Sequence, residues 1–423
     1  MSVRPGRRRA ALIAGIALAA AVLLALSWTA GRFGSDRGGG ETAENLIEVR
    51  ELGLPPLVLP AQASSQPDRI AISALGQKLF FDRRLSFNGT MSCSMCHVPE
   101  EGYTSNASRT AVGIEGKSLR RNAPTLLNVA WQKHLFHDGR ESNLATQAWL
   151  PLLHADEMAN PSIGFVLDKI RQLPDYAGAF ERVFGGAVAS METVGAALAA
   201  FETSLVSARS RFDRWRYGGE QSVLSDREIH GYQLFTSKAR CSMCHLIDEH
   251  NALFLDQKFH ITGVAEGSAN SEENGEDNGV AKGVADSEAN VQARGSGRTY
   301  VVPLAPGVQT TVTDADLAAF ASSEPPDLGR FEITLDPNDR RSFRTPSLRN
   351  VARTAPYMHN GAFATLDEVI EFYDRGGGAV PAKSQLLAAL GLSLDERQAL
   401  VAFLQSLDGV DSTSASIQRR PLQ

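Results

Sequence analysis

The chain has 423 residues, of which 43% are hydrophobic and 21% are charged, and its formal net charge is -6. These values are ordinary for a globular protein with room for two or three domains. The sequence contains no basic stripe interleaved with aromatic residues, which argues against nucleic acid as a partner. All four cysteines lie in two CSMCH pentapeptides, so none remains for the disulfide framework of a small exported domain.

The N-terminus is basic and then apolar. An uncharged run from Ala10 to Ala30 follows four arginines, Arg4, Arg7, Arg8 and Arg9. The run is about long enough to span a bilayer as a helix, and the positive-inside rule places the residues after it outside the cytoplasm. We expect a transmembrane helix that anchors the protein at the periplasmic side of a bacterial inner membrane. The alternative is a cleaved signal peptide, which would release the protein into the periplasm.

The rest of the chain is predicted to be mainly helical. Residues 1–67 are assigned to the anchor and a flexible linker rich in glycine and proline. Beyond residue 68 the apolar spacing is mostly that of helices, and long loops connect them. Residues 264–298 hold seven acidic and three basic residues without periodicity, which predicts a disordered insertion. Capping boxes mark three helix starts, at Ser225 with Glu228, Thr365 with Glu368 and Ser393 with Glu396.

The pentapeptide CSMCH occurs twice, with 148 residues between equivalent cysteines. In Cys-x-x-Cys-His the two thiols bind the vinyl groups of one haem, and the histidine is placed to bind its iron. The alternatives are a zinc site that joins the two halves and thiol redox chemistry. We expect two covalently bound haem c groups, attached and ligated by Cys93, Cys96, His97, Cys241, Cys244 and His245. Residue types alone leave open the second axial ligand of each iron.

Longer phrases surround the two pentapeptides. They are LGQKLFFDRRLS before the first, RNAPTLLN and DGR after it, FETSLVSARSRFD between the halves, and FRTPSLRNVARTAPYMHNG near the end. Through these phrases the chain resembles, from about Ala71 to Leu407, the bacterial dihaem cytochrome c peroxidase and MauG family. The resemblance implies two cytochrome c-like domains, a peroxidatic one at 68–215 and an electron-transfer one at 216–423.

The resemblance also implies roles for single residues near the first haem. Ile114 stands where many of the peroxidases have a ligating histidine, so this haem is expected to be five-coordinate in the resting enzyme. Glu157 matches the residue that moves a proton during peroxide cleavage, and Gln147 and Pro151 match its neighbours. His137 replaces the usual tryptophan between the haems, where it either packs or gates transfer through its protonation state.

Further matches concern the second haem and a metal ion. Tyr373 corresponds to the distal ligand of the second iron, where the peroxidases have methionine and MauG has tyrosine. A calcium ion between the domains would be held by Asn122, Thr354 and Pro356, the last two through backbone carbonyls.

Three functions are compatible with these features. The resemblance favours a MauG-like oxidoreductase that reacts with hydrogen peroxide at the first haem, forms high-valent iron shared with the second, and oxidises a periplasmic partner protein such as a small copper-binding protein. The second is a cytochrome c peroxidase that removes hydrogen peroxide with electrons from a small cytochrome or cupredoxin. The third is a non-enzymatic dihaem electron carrier.

Overall fold

α-Helices form most of the regular structure in the part of the chain that the computed structural model describes, residues 46–49, 51–60, 66–264, 299–305, 308–313, 327–380 and 383–411. The chain divides into two units, residues 1–46 with 60–62 and residues 47–59 with 63–423. Every core and site described below belongs to the second unit.

The described helices follow one another along the chain. They are α1 (Gln66–Phe81), α2 (Leu144–Gln147), α3 (Trp149–Leu153), α4 (Ile163–Gln172), α5 (Ala179–Val183), α6 (Met191–Thr203), α7 (Arg211–Arg216), α8 (Asp226–Thr236), α9 (Phe331–Thr334), α10 (Leu366–Asp374) and α11 (Leu394–Gln405). Short 3-10 helices lie between them at Arg83–Leu85, Cys93–Met95, Pro99–Glu101, Ile114–Gly116, Val129–Trp131, Pro174–Tyr176, Cys241–Met243, Pro337–Asp339 and Val351–Arg353.

The strands are short and pair two by two. They are β1 (Leu46–Val49), β2 (Leu57–Pro60), β3 (Ser207–Ala208), β4 (Phe259–His260), β5 (Thr299–Ala305), β6 (Val308–Thr313), β7 (Phe343–Arg344) and β8 (Val410–Asp411). β1 pairs with β2, β3 with β8, β4 with β7 and β5 with β6. The register of β4 and β7 sets Phe259 opposite Arg344. The hairpin of β5 and β6 is a feature that the sequence analysis did not predict.

The two halves repeat one helix crossing. In the first half α1 packs on α6, and a Cβ at Gly76 would overlap the carbonyl oxygen of Ala197. In the second half α8 packs on α11, and a Cβ at Gly231 would overlap the carbonyl oxygen of Ala399. Only glycine permits backbones to approach this closely. In each half the first helix of the crossing, α1 or α8, precedes the CSMCH segment and the second helix, α6 or α11, follows it, although the two halves share little sequence around the crossing.

Each crossing lies in a hydrophobic core of its own. The first core runs from Ile72 to Leu205 and the second from Phe212 to Leu407. The domain boundary predicted between residues 215 and 216 falls inside α7, whose Phe212 already belongs to the second core. All three predicted capping boxes are present at the starts of α8, α10 and α11.

Residues 51–57 form a strap that contacts both halves, although the sequence analysis placed them in the flexible linker. Leu54 is buried against Val206 and Ala208. The indole nitrogen of Trp131 donates to the Pro55 carbonyl at 2.9 Å. The Gly53 carbonyl accepts from Ala252 N at 3.0 Å. Because these bonds reach residues on either side of α7, the strap contacts both halves of the chain.

We predict that Gly53→Ala destabilises the holoprotein. Gly53 has φ +88, and a Cβ would overlap the carboxylate of Asp213, which forms a buried bidentate ion pair with Arg349. Backbone strain and damage to a buried ion pair together cost on the order of 3 kcal/mol. Thermal unfolding measures this, with Gly89→Ala as control, since Gly89 has φ +75 and open space around it. Equal losses in both variants would contradict the role of the Asp213 contact.

The predicted fold class is wrong in one part. The mainly helical architecture is observed, but none of the helices in the described ranges is long and apolar enough to cross a membrane. Length and charge explain why α1 cannot span a membrane. It has 16 residues, fewer than the roughly 20 that a bilayer requires, and it contains the charged residues Arg69 and Lys78. The apolar run at 10–30, on which the transmembrane prediction rested, lies outside the described residues, as does the predicted insertion apart from Val264.

Candidate functional site

The first CSMCH segment forms a tight turn after α1. Cys93–Met95 is a 3-10 helix, and the amide of His97 donates to the Cys93 carbonyl at 3.0 Å. His97 Nδ1 lies 3.0 Å from the Tyr103 carbonyl oxygen. Because a carbonyl oxygen only accepts, Nδ1 carries the proton and Nε2 keeps a lone pair for a metal.

The second segment repeats this arrangement. Cys241–Met243 is again a 3-10 helix, and the amide of His245 donates to the Cys241 carbonyl at 2.9 Å. His245 Nδ1 lies 2.8 Å from the Phe254 carbonyl oxygen. Both histidines are therefore held in the tautomer that presents Nε2, as metal-binding histidines usually are.

A partly open cavity adjoins the first segment. It contains the two cysteine side chains and the imidazole of the pentapeptide, together with three residues predicted to act beside them. Its lining includes Cys93, Cys96, His97, Gln147, Pro151, Glu157 and Glu202, with apolar walls from Phe80, Leu126, Met158 and Leu198. The structure thus brings together residues that lie up to 122 positions apart in the sequence, Phe80 and Glu202.

Glu157 reaches the cavity from the loop after α3. Its amide donates to the His154 carbonyl at 3.1 Å, and the next amide, of Met158, donates to the Pro151 carbonyl at 3.2 Å. Burial raises the pKa of the Glu157 carboxyl, an effect that nearby His154 and Arg140 partly oppose. A carboxyl whose pKa lies above its ordinary value is suited to exchange protons.

Glu202 is a cavity residue that the sequence analysis missed. It lies on α6 and is 6% exposed, and its Oε2 atom has no hydrogen-bond partner in the part of the chain that the structure describes. Burial raises the pKa of this carboxyl to about 8. Its position could have been recognised, because it follows Leu198 by four residues and so shares the buried face of the helix.

We predict that Glu202→Gln changes how stability depends on pH. An unfolded glutamate titrates near pH 4.3, so between that pH and about 8 the folded state binds more protons and its stability falls as pH rises. The variant lacks this loss and should be more stable at pH 8.5 by on the order of 1–3 kcal/mol. Thermal unfolding of the holoproteins at pH 5 and 8.5 tests this, with exposed Glu192→Gln as control. Parallel pH profiles for Glu202→Gln and the unmodified protein would contradict it.

Tyr373 lies near the second cysteine pair. It occupies the last turn of α10, whose capping box at Thr365 fixes the start of the helix. Burial raises the pKa of Tyr373, and Cys241 and Cys244 nearby raise it further. Among the described residues its hydroxyl has no hydrogen-bond partner, so the oxygen is available to a group bound at these cysteines.

His137 lies outside the lining of the first cavity. Its Nε2–H donates to the Asn122 carbonyl at 2.9 Å, and burial lowers the pKa of His137 to about 3. The imidazole is therefore neutral at ordinary pH. This favours the packing role over the gating role that the sequence analysis left open.

The predicted calcium residues are partly brought together. Asn122 Nδ2 donates to the Pro356 carbonyl at 2.6 Å, and the buried Oδ1 atom of Asn122 has no hydrogen-bond partner within the described ranges. The hydroxyl of Thr354 donates to the Val351 carbonyl at 3.3 Å. An amide oxygen without a described partner is a ligand type that suits a hard cation.

The donor chemistry fits haem at both pentapeptides. Each has two thiols and an imidazole with Nε2 presented, and the first faces a cavity with largely apolar walls. The zinc alternative finds no support, because within the described ranges the one group of three close ligand atoms is Cys244, Asp256 and His260. The two cysteine pairs do not converge on a common metal.

Comparison with known proteins gives consistent results. Residues 71–222 match the family model described as di-haem cytochrome c peroxidase. The chain is 34% identical over 357 residues to "Cytochrome-c peroxidase IdrP1" of Denitromonas iodatirespirans, covering 84% of this chain and 85% of the relative. It is 33% identical over 346 residues to "Methylamine utilization protein MauG" of Methylorubrum extorquens, covering 81% and 78%.

The chain belongs to the dihaem cytochrome c peroxidase and MauG family. Like its relatives, this dihaem protein is a peroxide-dependent oxidoreductase with two haem c cofactors. A solved structure described as "a MauG-like protein associated with microbial copper homeostasis" has a TM-score of 0.62 and 29% identity, and the alignment covers 84% of this dihaem protein and 94% of that chain.

Proposed function

We propose that this dihaem oxidoreductase uses hydrogen peroxide at its N-terminal centre to oxidise a partner protein, with the oxidising equivalents held on both haems. The observation that carries the proposal is the composition of the N-terminal cavity. Of the described residues that line it, His97 is the only histidine, and Glu157 lies in the same lining. Ile114, at the position of the expected second histidine, is 2% exposed in the hydrophobic core and offers no ligand atom.

When bound, the haems supply iron centres that accept small ligands and carry electrons. Glu157 supplies the proton chemistry, because its carboxylate can take a proton from one peroxide oxygen and return it to the other. Gln147 adds an amide that can hydrogen-bond peroxide. Pro151 holds the Glu157 loop through its carbonyl, and its side chain forms part of the apolar wall.

The C-terminal centre is proposed to store and relay charge. Its ligands would be His245 and Tyr373, since the tyrosine hydroxyl is close to the cysteine pair and has no other partner among the described residues. An anionic oxygen ligand stabilises oxidised iron more than the methionine sulfur of many relatives does. This property suits an enzyme that retains oxidising equivalents until a partner protein arrives.

The partner, the compartment and a metal ion complete the proposal. We place the protein in the periplasm, where its partner would be a small copper-binding protein. The association of the similar MauG-like structure with microbial copper homeostasis supports this choice of partner.

A calcium ion would bind Asn122 Oδ1 and the Pro356 carbonyl, with Thr354 contributing its carbonyl.

Stopped-flow spectroscopy of the diferric holoprotein after addition of hydrogen peroxide tests the proposal. A spectrally distinct oxidised species that persists without an added electron donor is expected. A resting spectrum that is wholly low-spin would contradict the open N-terminal centre. Rapid turnover only with a reduced cytochrome or cupredoxin would favour the second function, a cytochrome c peroxidase, which the 34% identity to such a peroxidase supports.

A further inference from the structure

A short loop, residues 112–117, contacts both the haem-attachment segment and the segment that carries Glu157. On one side, Cys96 Sγ lies 3.6 Å from the Val112 carbonyl oxygen. On the other, the amide of Ile114 donates to the Glu157 carbonyl at 2.9 Å. The loop therefore lies between the haem-attachment segment and the Glu157 segment. The distance between these two segments determines where the Glu157 carboxyl lies in the cavity.

The loop is built to keep one shape. The amide of Gly113 donates to the Lys117 carbonyl at 2.8 Å, which closes the turn. The Ile114 side chain is 2% exposed and packs in the first hydrophobic core. At the rim, Lys117 Nζ lies 3.2 Å from the Asp156 carboxylate. Core packing anchors the loop from inside, and the ion pair adds a weaker contact at the surface.

Gly113 sets the distance between the loop and the Glu157 segment. A Cβ at this position would overlap the Asp156 carbonyl oxygen and would lie 3.0 Å from the Glu157 Cα atom. Any residue larger than glycine must push the two backbones apart. Gly116, three residues later in the same loop, has φ +76 and open space around it. Gly113 therefore permits close contact between two backbone segments, whereas Gly116 permits the left-handed backbone of the turn.

We propose that Gly113 and Ile114 are positioning residues for the peroxide reaction, which hold Glu157 at its place in the cavity through backbone contact and the Ile114–Glu157 hydrogen bond. This inference rests on the proposed role of Glu157. Neither residue touches the reacting atoms. Their effect on the reaction passes through the placement of one carboxyl group.

The variant Gly113→Ala is expected to slow the reaction of the diferric holoprotein with peroxide by about 10- to 100-fold, because small misplacements of a catalytic group have effects of this size. Gly164→Ala, the control, is expected to slow it less than about 2-fold, since Gly164 has no left-handed backbone and the nearest atom to its added methyl is Ser162 Oγ at 3.8 Å. In a Glu157→Gln background, Gly113→Ala should cause no further loss, because the group it positions is already inactive. Equal losses in the two glycine variants, or a full additional loss in the Glu157→Gln background, would overturn the proposal.

Amide hydrogen exchange gives a measurement that does not depend on activity. In the unmodified holoprotein it also does not depend on whether a variant folds. The amides of Gly113 and Ile114 should exchange as slowly as those of α1, and Gly113→Ala should accelerate exchange across residues 111–118 and 154–159. Fast exchange at Ile114 in the unmodified protein would overturn the proposal. An unchanged peroxide rate in Glu157→Gln would instead overturn the proposed role of Glu157, whereas a slow Glu157→Gln beside a fast Gly113→Ala would overturn the positioning role alone.

Discussion

Replacing Glu157 by glutamine is expected to slow the reaction of the diferric protein with hydrogen peroxide by about 10²- to 10⁴-fold, the usual contribution of a positioned acid or base. The amide keeps nearly the same shape but cannot accept and return a proton. Both haems should remain attached, because Cys93 and Cys96 lie on a different segment from the Glu157 loop. Stopped-flow absorbance in the haem region measures the rate, and pyridine haemochrome analysis counts the haems.

The matched control for this variant is Glu115→Gln. It makes the same chemical change at an exposed carboxylate in the neighbouring loop, and its reaction rate should be unchanged. The carboxyl pKa of Glu157 is raised by burial, so the rate in the unmodified protein should fall with acid pH around a midpoint above the ordinary carboxyl value, and this fall should vanish in Glu157→Gln. A rate in Glu157→Gln equal to that of the control would exclude a proton-transfer role for Glu157.

Replacing Tyr373 by phenylalanine is expected to remove the second axial ligand of the C-terminal haem. This haem should change from low-spin to high-spin in electron paramagnetic resonance and optical spectra, while the N-terminal haem keeps its signals. Tyr373→Met should retain a six-coordinate centre and raise its potential by a sizeable part of the roughly 0.8 V that axial ligands span. Persistence of the oxidised species formed with peroxide should fall in both variants.

Tyr357→Phe is the control for these spectra. Tyr357 is also in the C-terminal half, and its hydroxyl donates to the Val351 carbonyl at 3.1 Å, so its loss alters a protein hydrogen bond but no proposed ligand. We expect unchanged spectra for both haems. A low-spin C-terminal haem in Tyr373→Phe would show that another residue ligates the iron.

The sequence alone was sufficient for features that depend on local patterns. A Cys-x-x-Cys-His pentapeptide contains a complete attachment site within five residues, so two haems could be predicted without any tertiary information. Capping boxes span four residues, and all three predicted ones are present at Ser225, Thr365 and Ser393. Features formed by a few consecutive residues can be recognised directly in the sequence.

Features made by contacts between distant segments were not predictable in this way. The strap at 51–57 is rich in proline and glycine like a linker, and only its hydrogen bonds to Trp131 and Ala252 show that it is part of the fold. Composition describes a segment by itself and carries no information about its partners.

The division of work between the two identical pentapeptides shows the same contrast. The pentapeptide sequence determines two haem attachment sites and two proximal histidines, His97 and His245. Which site receives a carboxyl and which a tyrosine depends on how α3, α6 and α10 pack, and a resemblance could suggest Glu157 and Tyr373 but passed over Glu202. That buried acid and the contact of Gly113 with the Glu157 segment emerged only from the tertiary structure, because burial and close approach are properties of residues brought together from distant parts of the chain.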